Sequence, residues 1–292
     1  MAVAIIALLL AGALIPLSTQ IDVRNSADTQ RSMESIRDAM IGFAQANGRL
    51  PCPANGGTPS GTVDTTTWAP AVIAAGAEQF NTGTNVCYIA FGVVPWTTLG
   101  VAETDTWGHR FSYRVSPAFA DGNSTLTWAS STTLTNPPSA GNQNPTWPCS
   151  PMPLPTPPTS FALCTLGDIA VFTRGGATTT AVPLGTALPA VIISHGKNGF
   201  GAWQTTGIRL SPIPISNDEA ANINGNMSAT PFVGSYNQQT FYSRTRTPAA
   251  AGCVDPAPGT TNAAPDCEFD DIVLMISSSA LITRMVAAGR LP

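Results

Sequence analysis

The chain opens with seventeen residues, MAVAIIALLLAGALIPL, that carry no charge and almost no polar group. As a helix rising 1.5 Å per residue they span about 25 Å, a little short of the roughly 30 Å hydrocarbon core of a bilayer. A polar helical pattern follows without a break. Met33, Ile36, Met40, Phe43 and Asn47 recur at alternating spacings of three and four, and the first four make a narrow apolar stripe. Arg31, Glu34, Arg37 and Asp38 lie largely off that stripe. Asn47-Gly48 supplies a left-handed C-cap and Pro51 a stop, so one helix of more than forty residues is predicted. Pro16 predicts a kink or local melting where the apolar part ends. A secretory signal peptide is the plain alternative for the first residues, but its positive segment and small-x-small cleavage site are not evident.

From Gly48 onward the periodicity changes to that of strands. Short β-branched or aromatic runs bounded by Gly, Pro, Asn or Asp predict strands at 86–94, 110–116, 125–130, 168–173, 189–194 and 271–277. Residues 137–158 hold nine prolines in 22 positions and predict an extended, stapled insertion rather than a helix or a central strand. Leu281, Met285 and Ala288 predict a short terminal helix. The fold class expected is α+β: a long N-terminal helix packed on an antiparallel β-sheet globular domain with a Pro-rich insertion. The helix is assigned to 1–47, with an apolar part at 1–17 and an amphipathic part at 18–47, and the head to 48–292.

Composition narrows the function. Charged residues make up 10% of the 292, against about 25% in an average soluble domain, and Lys197 is the only lysine. A net charge of −4 excludes a strongly basic nucleic-acid binder, whose affinity comes from many phosphate contacts. Six cysteines, an even number with no C-x-x-C pair, point to disulfides in an oxidising compartment rather than to zinc. Six allow fifteen pairings. The simplest is sequential, Cys52–Cys87, Cys149–Cys164 and Cys253–Cys267, each worth roughly 3 kcal/mol if unstrained.

Candidate chemistry is sparse. Gly196-Lys197-Asn198-Gly199-Phe200-Gly201 has the look of a phosphate loop, yet Asn198 stands where a Walker motif needs Ser or Thr. Gln204 occupies the last glycine position of the dinucleotide pattern, so a glycine-rich turn between strands is expected. Ser194 and His195 are neighbours at a strand end and face opposite sides, and no G-x-S-x-G elbow is present. His109 reads as a turn residue beside a packed tryptophan. Asp266, Glu268, Asp270 and Asp271 are the densest acidic cluster; carboxylates of this kind suit a hard cation, and a solvated loop edge accounts for the same residues. No catalytic residue, cofactor or metal ligand is assigned from these patterns.

The N-terminal run AIIALLLAGALIPLSTQ, with Pro16 in its polar-apolar border, resembles the helix of type IV pilins and type II secretion pseudopilins. Asp105, Trp107, Gly108 and Tyr113 resemble the D-x-W-G-x-x-x-x-Y turn and strand of major pseudopilins. VIISHGKNGFGA and FDDIVLMIS are similar to the closing loop and strand of the same group. The resemblance implies a structural subunit of a pilus-like or secretion-pseudopilus filament rather than an enzyme. Such a subunit would be held in the inner membrane by one hydrophobic helix with a periplasmic head, then assembled with copies of itself and other pilin-like subunits by the pilus or secretion machinery. Ala4, Ala7, Ala11, Gly12 and Pro16 would then pack in the filament core, small residues allowing close helix approach. The family's leader, cleavage glycine and early acidic residue do not occur in the printed sequence; the resemblance implies either that they lie upstream of Met1, the preferred expectation, or that this subunit lacks the feature that registers neighbouring subunits. In major pseudopilins the closing loop binds calcium, and Asn198 here stands where an aspartate would be expected, which lowers the expectation of that ion. The rival readings are a minor tip-located adhesin or binding module, with Trp68, Trp147 and Trp203 as a conceivable ligand groove, and an anchored periplasmic hydrolase in which Ser, His and Asp converge.

Overall fold

The computed structural model describes residues 2–65, 72–83, 85–121, 160, 161, 163, 165–174, 181–211, 216–223, 240–255 and 264–291, with side chains from residue 20 onward. The first element is α1 (Ala2–Asn47), about 69 Å long at 1.5 Å per residue. It runs through Pro16 as helix, so the expected local melting is absent. A proline without an amide hydrogen removes one ladder bond, and the flanking turns hold the helical path.

Two small hairpins follow, β1 (Val63–Asp64) with β2 (Ile73–Ala74), and β3 (Phe80–Asn81) with β4 (Val86–Cys87). Next come β5 (Phe91–Val93), the single turn α2 (Trp96–Leu99), β6 (Ser112–Val115) and α3 (Pro117–Ala120). The second half holds β7 (Ile169–Thr173), β8 (Val182–Leu188), β9 (Ala190–Ser194), α4 (Asn217–Ile223), β10 (Thr240–Tyr242), β11 (Ile272–Ile276) and α5 (Ser278–Ala287). The fold is α+β. The predicted strand 125–130 and the Pro-rich segment 137–158 lie outside the described residues.

A four-stranded antiparallel sheet in the order β11-β9-β6-β5 forms the middle layer. On one face Phe111, Tyr113, Val115, Ala190, Ile192 and Ile276 meet Met33, Ile36 and Met40 of α1 and Leu281 and Met285 of α5. On the other face Val191 and Ile193 meet Ile169, Val171, Leu188 and Phe241 of a three-stranded sheet, β10-β7-β8. Strand β10 is parallel to β7, and β8 is antiparallel to it. All five residues of β9 are buried, because it is covered on both faces; this is why its sequence is a continuous apolar run.

The stripe of α1 differs from its predicted course near the end. Thr29, Met33, Ile36, Met40 and Ala44 are buried, whereas Phe43 is half-buried and Asn47 exposed. An α-helix drifts relative to a strict seven-residue repeat, so the buried line passes from position 40 to 44. Phe43 instead lies under the Arg49 guanidinium at 5.3 Å. Gly48, at φ 73°, donates its N–H to the Ala44 carbonyl and ends the helix. Arg290 bonds the Gln45 and Ala46 carbonyls, satisfying acceptors that a helix C-terminus leaves free. Among the described residues no helix is long and apolar enough to cross a membrane.

Cys52 joins Cys87, and Cys253 joins Cys267. Cys149 and Cys164 lie outside the described residues. The predicted single strand 86–94 is two: Val86–Cys87 pairs with β3, and Phe91–Val93 pairs with β6. The chain changes partner between them.

Candidate functional site

The functional residues suggested by the sequence gather at one end of the middle sheet, where the D-x-W-G turn, the glycine loop and the Asp270-Asp271 pair meet. Asp105 organises the turn. Its Oδ1 accepts the N–H groups of Trp107 and His109, and its Oδ2 accepts the Ser194 hydroxyl at 2.7 Å. His109 Nδ1 lies 3.1 Å from the Gly196 carbonyl. The loop after β9 is a turn, with Gly196 and Gly199 at φ 60° and 63°. A side chain at 196 would strike Asp270, and one at 199 would strike the His109 ring. The glycines thus serve close packing, and no phosphate-binding pattern is needed to explain them.

His195 faces the opposite way from Ser194, as strand alternation requires. Its Nε2 is 2.8 Å from Ser112 Oγ on β6, and its Nδ1 is 3.6 Å from Asp271 Oδ1. Serine, histidine and aspartate therefore do line up in the order of a hydrolytic triad. The hydroxyl, however, lies between the two sheets: Ser112 is 3% exposed, and its strand is bonded on both sides by β5 and β9. An acyl carbon needs room beside the nucleophile and donors for its oxyanion. Ser112 has the hydrogen-bond geometry of a nucleophile in an enclosed position.

The neighbouring feature was not legible from sequence. Glu219 of α4 meets Asp270 and Asp271, and a ligand oxygen of each lies within 4.8 Å of the others. The Asp270 N–H donates to Glu219 Oε1 at 2.8 Å, and the Asn198 N–H donates to Asp270 Oδ2 at 2.9 Å. Asn198 Nδ2 reaches Glu219 at 3.2 Å while Asn198 Oδ1 accepts from the Phe200 N–H. Asn222 Nδ2 donates to Asp271 Oδ2 at 2.8 Å. Burial, then the charges of Asp271 and Asp270, push the Glu219 carboxyl up to about 8. Burial, with the Asp271 charge adding, pushes Asp270 up to about 6. Of the four carboxylates grouped by sequence, Asp266 turns instead toward Arg244 at 3.7 Å, and Glu268 is outside the trio. Asp271 is buried, so the solvated-edge reading does not hold for it.

No family model, curated protein or solved structure matches this chain. The reading therefore rests on its own residues. Three carboxylates form a hard-oxygen donor set, and Asp270 Oδ1 is buried without a hydrogen-bond partner. Both features fit a divalent cation.

A second buried charge group fixes α4. Arg174 grips Asp218 through Nε and Nη2 at 2.8–3.0 Å, and Arg244 reaches Asp218 at 3.0 Å and Asp255 at 3.1 Å. Burial raises the Asp218 carboxyl above its ordinary range, and the two guanidinium groups oppose that rise. Elsewhere Trp203 packs over Gly56 and Gly57, half-buried rather than lining an open groove. Trp68 and Trp147 are outside the described residues. So are the side chains of Ala4, Ala7, Ala11, Gly12 and Pro16.

Proposed function

We propose that the chain is a structural subunit of a type IV pilus-like or type II secretion pseudopilus filament, assembled through its N-terminal helix. The observation that carries this reading is α1. Its contacts with the head, among the described residues, begin at Asp22, which Lys197 holds at 2.9 Å, so about 30 Å of helix precede the part that docks on the head. That leading part holds the uncharged run 2–17, and Ile21 and Val23 behind it are 50% and 65% exposed. The uncharged run needs apolar surroundings to bury it. A bilayer before assembly and the helices of neighbouring subunits afterward would do so, with small residues at the helix contact. The assembly machinery would drive the exchange. The head is suited to an exposed life: two disulfides and buried guanidinium groups tie its loops to its sheets.

The enclosed Ser112 favours this reading over an anchored hydrolase. The half-buried Trp203 gives no support to an aromatic ligand groove, so a tip-located binding module is the weaker alternative. Deletion of residues 1–17 provides the test. The account expects the truncated head to leave the membrane fraction, keep both described disulfides, and fail to enter filaments. A truncated chain still incorporated into filaments would overturn it.

A further inference from the structure

The two described disulfides sit in unlike surroundings. Cys52 and Cys87 are 0% and 4% exposed, within the core that joins α1 to the middle sheet. The backbone N–H of each is held by a carboxylate, Glu78 for Cys52 at 3.0 Å and Asp121 for Cys87 at 2.9 Å. A thiolate approaching that bond would have to give up its hydration to enter the core. The second pair differs. Cys267 is 2% exposed, but Cys253 is half-buried between the exposed Gly252 and Val254. A disulfide is broken by a thiolate that reaches one of its sulfurs, so access decides which bond reacts and at which end. This bond also lies beside the start of α4. Asp255, two residues from Cys253, accepts the Ser216 hydroxyl at 2.6 Å and the Cys267 N–H at 3.1 Å. Its carbonyl accepts from Asn217 Nδ2 at 3.1 Å. Ser216 Oγ in turn accepts the Glu219 N–H at 3.1 Å and caps the first turn of α4. Arg244 Nη2 joins Asp255 to the Cys267 carbonyl, at 3.1 and 3.0 Å.

We propose that Cys253–Cys267 is a thiol–disulfide exchange site, attacked at the Cys253 sulfur by a dithiol oxidoreductase, and that its state governs the docking of α4. One thiolate of the dithiol bonds to Cys253 Sγ. The Cys253–Cys267 bond breaks, and Cys267 leaves as a thiolate that takes up a proton. The second thiolate of the dithiol attacks the mixed disulfide at the reagent's own sulfur and releases Cys253, which is protonated in turn. Two electrons and two protons pass to the protein pair, and the dithiol becomes a disulfide. Without the covalent link Asp255 holds Ser216 by hydrogen bonds alone, so α4 leaves the head more readily while the Cys52–Cys87 core stays closed. The two cysteines are 14 positions apart, and losing the closure entropy of such a loop raises local opening by at most about 100-fold. The inference concerns the head alone and does not depend on the filament reading.

The test uses the full chain, folded in mild detergent, with dithiothreitol as the dithiol. Free thiols are alkylated at intervals and located by peptide mass. Cys253 and Cys267 are expected to be labelled at least about tenfold faster than Cys52 and Cys87. Reduced glutathione, a monothiol that leaves its adduct in place, is expected on Cys253. Hydrogen exchange at amides 217–223 should speed up on reduction, while that of β9 stays unchanged. Cys253→Ser combined with Cys267→Ser should reproduce the faster exchange with no reductant present, which separates loss of the bond from an effect of the reagent. Equal labelling rates for the two pairs would overturn the proposal. An adduct on Cys267 alone would overturn the point of attack, and unchanged exchange in α4 would overturn the coupling.

Discussion

Ile36→Ala tests whether α1 and the head form one folded unit. Ile36 is fully buried, and shares its core with Tyr113, Ile192 and Leu281. The substitution removes three methyl or methylene groups, about 2.4 kcal/mol by transfer at about 0.8 kcal/mol each. Helix and sheet are both held by other contacts and cannot close the gap fully, so a cavity contribution brings the cost to about 3–4 kcal/mol. For a chain of this size that corresponds to a fall of roughly 6 °C in melting temperature. Glu34, on the exposed face two residues earlier, is the control; Glu34→Ala is expected to change stability by less than about 0.5 kcal/mol. Thermal melts in mild detergent, followed by tryptophan fluorescence, measure both. A loss below about 1 kcal/mol for Ile36→Ala, or equal losses for the two variants, would show that the stripe does not anchor the helix.

Three further outcomes are expected. Burial raises the Asp121 carboxyl to about 7, from an ordinary value of 3.8, so the folded state binds the proton more tightly than the unfolded one. Stability should then fall as pH rises from about 4 to 7, with Asp121 contributing roughly 4 kcal/mol at most; Asp121→Asn should remove that share of the slope in urea unfolding at pH 4.5 and 7.5, and an unchanged slope would contradict the assignment. Replacing Cys52 and Cys87 together by serine should cost about 3–4 kcal/mol, because the bond spans 35 positions; denaturant midpoints compared at equal m would reveal it. Ser112 should resist a fluorophosphonate probe in the folded chain, and labelling that disappears in Ser112→Ala would reopen the hydrolase reading.

How far the sequence foretold the fold depended on how local each signal was. Helix α1 was legible because its stripe repeats over several turns, and β9 because burial on both faces leaves an unbroken apolar run. Strand β8 was missed: Val182-Pro183-Leu184-Gly185 carries the residues that strands usually avoid, and its first three positions are exposed at a sheet edge. The split of 86–94 was hidden because strand propensity does not say which partner a residue will meet. Gly92 illustrates the point, since a side chain there would strike the Ala54 carbonyl brought in from the loop before β1. At the candidate site, Asp270 and Asp271 were visible as a cluster, but Glu219 lies 51 positions from Asp270. No local pattern joins them; only the packing of α4 does. Ser112 and His195, 83 positions apart, escaped for the same reason.

The central claim is that this chain is built to assemble through α1. The most direct measurement is the composition of filaments sheared from the cell surface, read by intact mass and by peptide coverage of residues 20–121. The account predicts the chain in that fraction, with its head intact and its cysteines oxidised. Its absence there, with the whole population left in the membrane, would contradict the filament reading.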